Sequence, residues 1–286
     1  LSTASVIMFF YPGLHLGIDF SGGIVMEVRT DGPADFAKIR GALATQHIPE
    51  QGVQRFGGDS DVLIRLGAQP NEQATQQAVA RVRDALAANI PGAKIVRTDA
   101  VGASVSAELF RDGLLALGIS LAMILAYIWF RFEWQFGVGA VVTMLLDVTK
   151  TIGFYVLFDL QFNLTSIAAI LTIMGYSIND KVVVYDRVRE NLRKYKTMPL
   201  RQLIDVSINE TLNRTVNTSL TVFLSTLPLV FGGEAVREFA LIILIGIVIG
   251  TSSSIFIAAP ILLYLGEGRL RRGVAPPKDD DKDKLP

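Results

Sequence analysis

Hydrophobic and polar positions fall into long blocks along this chain. Apolar stretches run over residues 114–130, 134–158, 164–185, 212–231 and 239–265. Each is near or above the roughly 20 residues a helix needs to cross a hydrocarbon core of about 30 Å. The opening "LSTASVIMFFYPGL" is shorter and reads as the tail of a truncated first span over residues 1–16. A secretory signal fits it poorly, because no basic stretch precedes it and no small-residue cleavage site follows. The pattern predicts an α-helical membrane protein with six transmembrane helices, the first one partial.

Residues 17–107 follow a different rhythm. "GIVMEVRT" alternates as a strand, and "PADFAKIRGALATQ" has the period of an amphipathic helix. "GVQRFG" and "SDVLIRLG" form two strands joined by Gly57, Gly58 and Asp59, then come a second helix in "NEQATQQAVARVRDALAANI" and a last strand in "AKIVRTDAV". The order βαββαβ predicts a ferredoxin-like α+β domain between spans one and two, with two helices on one face of an antiparallel sheet. The expected domains are therefore 1–16, 17–107, the helices of 108–268, and a tail over 269–286. That tail, containing "APPKDDDKDKLP", mixes proline with dense opposite charges and is expected to be disordered.

Charge then orients the helices. The chain has 27 basic and 27 acidic side chains, so no overall bias points to nucleic acid. Arg187, Arg189, Arg193, Lys194, Lys196 and Arg201 crowd one connection, and Arg269, Arg271 and Arg272 follow the last span. By the positive-inside rule these segments are cytoplasmic, as is Arg131 in the "RFEW" turn flanked by the interfacial Trp129 and Trp134. Both termini are then cytoplasmic and the 17–107 domain lies outside. There is no cysteine, no G-x-x-x-x-G-K-[ST] and no HExxH or Ser/His/Asp grouping, so neither an ATP-driven motor nor a hydrolase is expected, nor a metal or cofactor. The two histidines, His15 and His47, read as ordinary polar residues.

Candidate chemistry lies in charges at membrane depth, which cost about 2.5–3.5 kcal/mol each on insertion scales and usually face a bundle interior or a wet cavity. The third span carries Asp147 and Lys150 at i,i+3; the fourth carries Asn179, Asp180 and Lys181; the fifth begins with Arg214. Asp180 lies five residues before Tyr185, roughly 7.5 Å along a helix. An antiparallel fifth helix would bring Arg214 to similar depth, so an Asp180–Arg214 pair is expected. Asn217, Thr218, Thr221 and Ser225 continue from Arg214 as a polar stripe, and Tyr176 and Ser177 add hydroxyls on the fourth helix. A carboxylate whose arginine partner comes and goes changes its proton affinity, so such a site can load and release a proton. A static pair that only fixes packing is the alternative, with Asp147 and Lys150 neutralising each other. Lys181 is expected to snorkel toward the headgroups. The small residues Gly137, Gly139, Gly246 and Gly250 are read as allowing close helix packing.

Several segments together resemble the SecF family of the bacterial Sec translocon accessory complex. "LGIDFSGGIVMEV" is similar to the family signature at the exit of the first span, and "MGYSINDKVVVYDRVRENLRKYK" to its fourth helix and following loop. "ETLNRTVNTSLT" resembles the start of the fifth helix, and "FRFEW" the turn after the second. The resemblance implies a place in the bacterial inner membrane, SecD as partner, association with the SecYEG channel and with YajC, and use of the proton-motive force to assist preproteins after the SecA stage. It further implies that protons are coupled at Asp180, Arg214 and Asp147. In this view Gly17, Asp19, Phe20, Ser21, Gly22 and Gly23 join span to domain in a tight membrane-exit turn. A non-conducting scaffold and a small-molecule proton antiporter remain as alternatives.

Overall fold

The computed structural model describes residues 2–11, 13–45, 50–55 and 58–264. His47, Gly57, Arg269, Arg271, Arg272 and the tail expectation lie outside the described residues. The chain divides into two compact units: Gly13–Gly118 with Asp159–Ala168, and Leu1–Pro12 with Ile119–Phe158 and Ala169–Pro286.

In the first of these, the short helix α2 (Ile18–Ser21; α1, Ser2–Phe10, belongs to the other unit) leads into β1 (Gly23–Arg29). There follow α3 (Phe36–Thr45), β2 (Glu50–Arg55), β3 (Asp61–Leu66), α4 (Glu72–Asn89) and β4 (Lys94–Val101), in the βαββαβ order expected from the periodicities. The strands form one antiparallel sheet in the order β2-β3-β1-β4, with Met26 of β1 opposite Ile64 on one side and Thr98 on the other. Ile24, Met26 and Val28 alternate inward along β1 and meet Ile39 and Leu43 of α3 and Val82, Ala85 and Leu86 of α4 in one core. The helix ends are capped locally. Asp35 accepts the amides of Ala37 and Lys38 at 3.1 Å, and Asn71 accepts that of Ala74 at 2.8 Å.

The glycine-rich stretch before β1 does more than turn the chain. Gly22 and Gly23 have φ of 69° and 126°, and a Cβ on Gly23 would sit 2.5 Å from the Leu66 carbonyl oxygen. Only glycine fits there. Upstream, the Gly17 amide donates to the Phe162 carbonyl at 2.8 Å and the Phe162 amide to that of His15 at 2.7 Å, while the His15 ring meets Asp159. Asp19 Oδ2 accepts the Leu164 amide at 2.9 Å, Ser21 Oγ donates to the Gly17 carbonyl at 3.0 Å, and Phe20 packs on Phe110 and Phe162. Leu164 opens helix α7 (Leu164–Lys194), so Asp19 satisfies one of the four amides left unpaired at that helix's start and sets a negative charge at its positive end. Asp19→Ala is expected to lower stability by about 0.5–2 kcal/mol, read as a fall in thermal midpoint in detergent. Asp19→Asn, which keeps an acceptor, is expected to lose less.

The second unit is helical. Its elements are α1, the lower part of α5 (Ala103–Arg131), α6 (Trp134–Leu157), most of α7, α8 (Leu200–Thr226) with a 3-10 turn over Leu227–Phe231, and α9 (Glu234–Ser253) running through a π segment (Ser254–Ala258) into α10 (Ala259–Tyr264). Among the described residues four helices are long and apolar enough to cross a membrane: α5, α6, α7 and the continuous Val236–Tyr264. α1 is described over nine residues only. α8 is not among the four because Asn213, Arg214, Asn217, Thr218, Thr221 and Ser225 interrupt its apolar positions.

One end of this unit is held by an aromatic and aliphatic core in which Tyr185 is enclosed by Phe132 and Phe136, with Val188, Leu203, Ile204 and Leu262 around them. The Tyr185 hydroxyl donates to the Ala258 carbonyl at 3.2 Å, at the end of the π segment, where the helical ladder is rearranged. Of the small residues expected to let helices approach, Gly139, Gly246 and Gly250 have close neighbours, whereas a Cβ on Gly137 would come no nearer than 3.9 Å to Ile128 Cγ2. A Cβ on Gly139 would fall 2.6 Å from the Tyr185 hydroxyl, one on Gly153 2.4 Å from Ser5 Cβ, and one on Gly246 2.3 Å from Ile173 Cδ1.

Candidate functional site

Helix α7 carries two polar pairs at i,i+4, Tyr176 with Asp180 and Ser177 with Lys181. They are one residue out of step, hence about 100° apart around the axis, and so they reach different neighbours.

The Ser177–Lys181 pair faces α6 and α9. Lys181 is 0% exposed and its Nζ donates to Asp147 Oδ2 at 2.8 Å. The same carboxylate oxygen accepts Ser177 Oγ at 2.8 Å and Ser253 Oγ at 2.7 Å. Lys181 also meets the Ser177 hydroxyl and, at 3.4 Å, that of Ser253. Asp147 Oδ1 has no hydrogen-bond partner and stands 3.7 Å from Lys150 Nζ. Lys181 therefore does not snorkel: it is turned inward, where Asp147 offers more than a long climb to the interface. Nor is Lys150 the principal counter-ion of Asp147.

The Tyr176–Asp180 pair faces α8 and α9. The Tyr176 hydroxyl donates to Ser219 Oγ at 2.8 Å, Ser219 Oγ and Thr251 Oγ1 are 2.7 Å apart, and Thr251 Oγ1 lies 3.5 Å from Asp180 Oδ2. Ser219 also reaches the Thr215 carbonyl at 2.8 Å. A line of three hydroxyls from three helices thus ends on a carboxylate that is 2% exposed. Each hydroxyl has one proton, so when Ser219 gives its own to Thr215, Thr251 must choose between Ser219 and Asp180.

The expected Asp180–Arg214 pair does not form. The buried face of α8 is Thr211, Thr215 and Ser219; Arg214 is next to Thr215 in sequence and points outward. Asn217 and Thr221 are likewise exposed and Thr218 half-buried, each bonded to its own helix, Asn217 to Asn213 and the two threonines to carbonyls at i−4. Asn179 is exposed on α7. The stripe expected to lead toward Asp180 therefore lies on the surface of the chain. Its place is taken by Ser219 and Thr251, which, with Ser253, were missed as site residues. The signal was the run Thr251–Ser254, four hydroxyls in succession inside an apolar span.

Asp147, Lys150, Asp180 and Lys181 are all buried, two of each sign. Their formal charges cancel, which is how ions remain in a low-dielectric interior.

Beyond Tyr185, α7 and α8 carry further ion pairs. Arg187 bonds Glu210 at 2.7 Å and Glu190 at 2.6 Å, and Asn191 bonds Glu210 at 2.7 Å. Glu210 precedes the apolar stretch that starts at Leu212. The hydrogen bond from Arg187, then that from Asn191, holds its carboxyl down to about 2 from an ordinary 4.5. A depressed carboxylate contributes fully above its unfolded value and loses that contribution as pH falls toward the folded one. The thermal midpoints of the chain and of its Glu210→Gln variant are accordingly expected to differ above pH 4.5 and to converge as pH falls toward about 2.

The sequence is similar to known proteins over most of its length. The profile described as protein export membrane protein SecD/SecF, C-terminal, matches residues 81–268, and that of the SecD/SecF GG motif residues 7–34. The protein translocase subunit SecF of Rickettsia rickettsii is 45% identical over 263 residues, covering 90% of this chain and 85% of that protein. SecF of Cereibacter sphaeroides is 43% identical, covering 99% and 88%. The crystal structure of SecDF from Thermus thermophilus, a translocon-associated membrane protein, superposes with a TM-score of 0.82 at 34% identity. It covers 92% of this chain, and this chain spans 36% of its length.

Proposed function

Since the chain belongs to the SecF protein translocase subunit family of SecD/SecF export proteins, we propose that it works with SecD to couple the proton-motive force to the passage and release of preproteins through the SecYEG channel, with YajC as a further associate. It is a multi-pass transport component of the bacterial inner membrane. The reading includes six spans, α1 and α8 completing the four apolar ones, with both termini cytoplasmic. It includes a ferredoxin-like periplasmic domain over 17–107, which the strand order β2-β3-β1-β4 supports. The helices occupy 108–268 and the cytoplasmic tail 269–286.

The observation that carries the coupling is the neutral buried cluster of Asp147, Lys150, Asp180 and Lys181. A proton arriving at Asp180 leaves it with one uncompensated positive charge. In a low-dielectric interior that imbalance favours another packing of α6, α7, α8 and α9, or release of the proton to the other side. The hydroxyl line Tyr176–Ser219–Thr251 is the route by which a proton reaches or leaves Asp180, and Asn179, Ser177, Asn217, Thr218 and Thr221 serve as supporting polar groups. Arg214, exposed on α8, acts in this scheme only after a helix movement or through a partner helix. Moving one elementary charge through 100 mV is worth about 2.3 kcal/mol, enough to bias states a few kcal/mol apart.

Proton-driven preprotein release from vesicles containing Asp180→Asn tests the reading. Loss of release at normal abundance of the SecD complex supports coupling. Unchanged release would leave a non-conducting scaffold, the second reading, which the direct, fully buried Lys181–Asp147 bond at 2.8 Å favours. A small-molecule antiporter has no comparable support in this chain.

A further inference from the structure

Arg131, Asp186, Arg189, Glu190, Arg193 and Lys194 line an open cleft of about 490 Å3 in the helical unit. Four of these side chains are cations and two are carboxylates. Both carboxylates already have partners: Arg131 meets Asp186 at 2.9 Å, and Arg187, from outside the cleft, meets Glu190 at 2.6 Å. Arg189, Arg193 and Lys194 have no carboxylate within ion-pair distance among the described residues. Arg189 Nε is also shielded from solvent without a hydrogen-bond partner. The cations left over in an open cleft match phosphate oxygens best, since a guanidinium presents its outer N–H groups as a planar fork.

Position selects the kind of phosphate. Starting at Leu164, a helix rising about 1.5 Å per residue uses up a hydrocarbon core of about 30 Å near Val183. Residues 186–194 then emerge at the headgroup level. Directly before Arg131, Trp129 and Phe130 are 74% and 96% exposed, an apolar surface beside the charged one.

We infer that this cleft binds the phosphate of an anionic phospholipid, with Arg189, Arg193 and Lys194 on the headgroup and Trp129 and Phe130 against its glycerol and upper acyl chains. Basic pockets at the membrane surface favour such lipids, and one Lys or Arg contributes roughly five-fold to partition. Lipid bound here would tie the end of α5 to the cytoplasmic extension of α7, whose inner half carries Asp180.

The chain supplies its own reporters, because its two tryptophans, Trp129 and Trp134, both flank Arg131. The test places the full chain in phosphatidylcholine nanodiscs doped at equal mole fraction with acyl-brominated phosphatidylglycerol or acyl-brominated phosphatidylcholine, and reads tryptophan quenching. Brominated phosphatidylglycerol is expected to quench more, reporting local enrichment of roughly five-fold or above. Arg189→Gln and the surface pair Arg193→Gln/Lys194→Gln are each expected to remove most of that preference, whereas Arg201→Gln, at the start of α8 and outside the cleft, is expected to keep it. The surface pair keeps the test decisive where Arg189→Gln fails to fold. Equal quenching by both lipids overturns the assignment. So does an equal loss in Arg201→Gln, which would mean a diffuse surface charge. Removal of the preference by inorganic phosphate, where chloride of equal ionic strength has no effect, would assign the cleft to a free anion instead of lipid.

Discussion

Lys181→Met is expected to destabilise the helical unit by about 3–5 kcal/mol, the cost of leaving a buried charge without its partner. The lysine is completely buried and its ammonium is the closest cation to Asp147, at 2.8 Å against 3.7 Å for Lys150. The remaining ligands of Asp147 Oδ2, Ser177 and Ser253, are neutral and cannot offset its charge. The partner substitution makes the argument specific. In Asp147→Asn/Lys181→Met no unpaired ion remains in that pair, and part of the loss should be recovered, the remainder being the cost of leaving the buried Lys150 without its carboxylate at 3.7 Å. Thermal midpoints in detergent for the two single variants and the double provide the measurement. A loss under about 1 kcal/mol for Lys181→Met, the scale of an exposed pair, would mean that Lys150 alone neutralises Asp147 and that the cluster is organised differently.

Gly246→Ala is expected to cost about 1–3 kcal/mol by overpacking, and to do so through one identifiable neighbour. A Cβ at that position would stand 2.3 Å from Ile173 Cδ1, 2.4 Å from its Cγ1 and 3.0 Å from its Cγ2. A β-branched side chain cannot turn all three carbons away, so α7 and α9 must separate. Ile173→Ala alone leaves a cavity and costs about 2–5 kcal/mol. Together the two changes should exchange one methyl group for several, and the double variant should be more stable than the sum of the singles by roughly 0.5–3 kcal/mol. Additive losses would show that the helices have room at this crossing. The site reports the same event, since Thr251 follows Gly246 on α9 and Asp180 follows Ile173 on α7. Separation lengthens a Thr251–Asp180 contact already at 3.5 Å, and preprotein release is expected to fall with stability.

Much of the architecture is legible in the sequence. Period-two alternation in "GIVMEVRT" and "SDVLIRLG" leads to β1 and β3 because a half-buried strand needs it. The expected helix over "NEQATQQAVARVRDALAANI" agrees with Glu72–Asn89, and its Asn71 cap is readable as such. Span starts at Trp134 and Leu164 coincide with α6 and α7 because the preceding turns carry polar residues that the apolar blocks lack. The role of the glycine-rich stretch was only half legible. Its turn follows from Gly22 and Gly23, but nothing local tells that Asp19 will cap a helix starting 145 residues later.

Composition and order thus determine which charges fall in the apolar blocks, Asp147, Lys150, Asp180, Lys181 and Arg214, and that a βαββαβ segment separates the opening apolar stretch from those blocks, but not that Arg214 stays outside so that the buried four sum to zero. Which acid meets which cation is decided only in the tertiary structure. Asp180 and Lys181 are neighbours in the chain, yet a helix turns about 100° per residue, so Lys181 points to Asp147 on α6 while Asp180 points to Thr251 on α9. The partner of each depends on the rotation of three separate helices about their own axes. Packing of distant small residues such as Gly139, Gly246 and Gly250 sets that rotation, and a linear pattern of polar and apolar positions does not contain it.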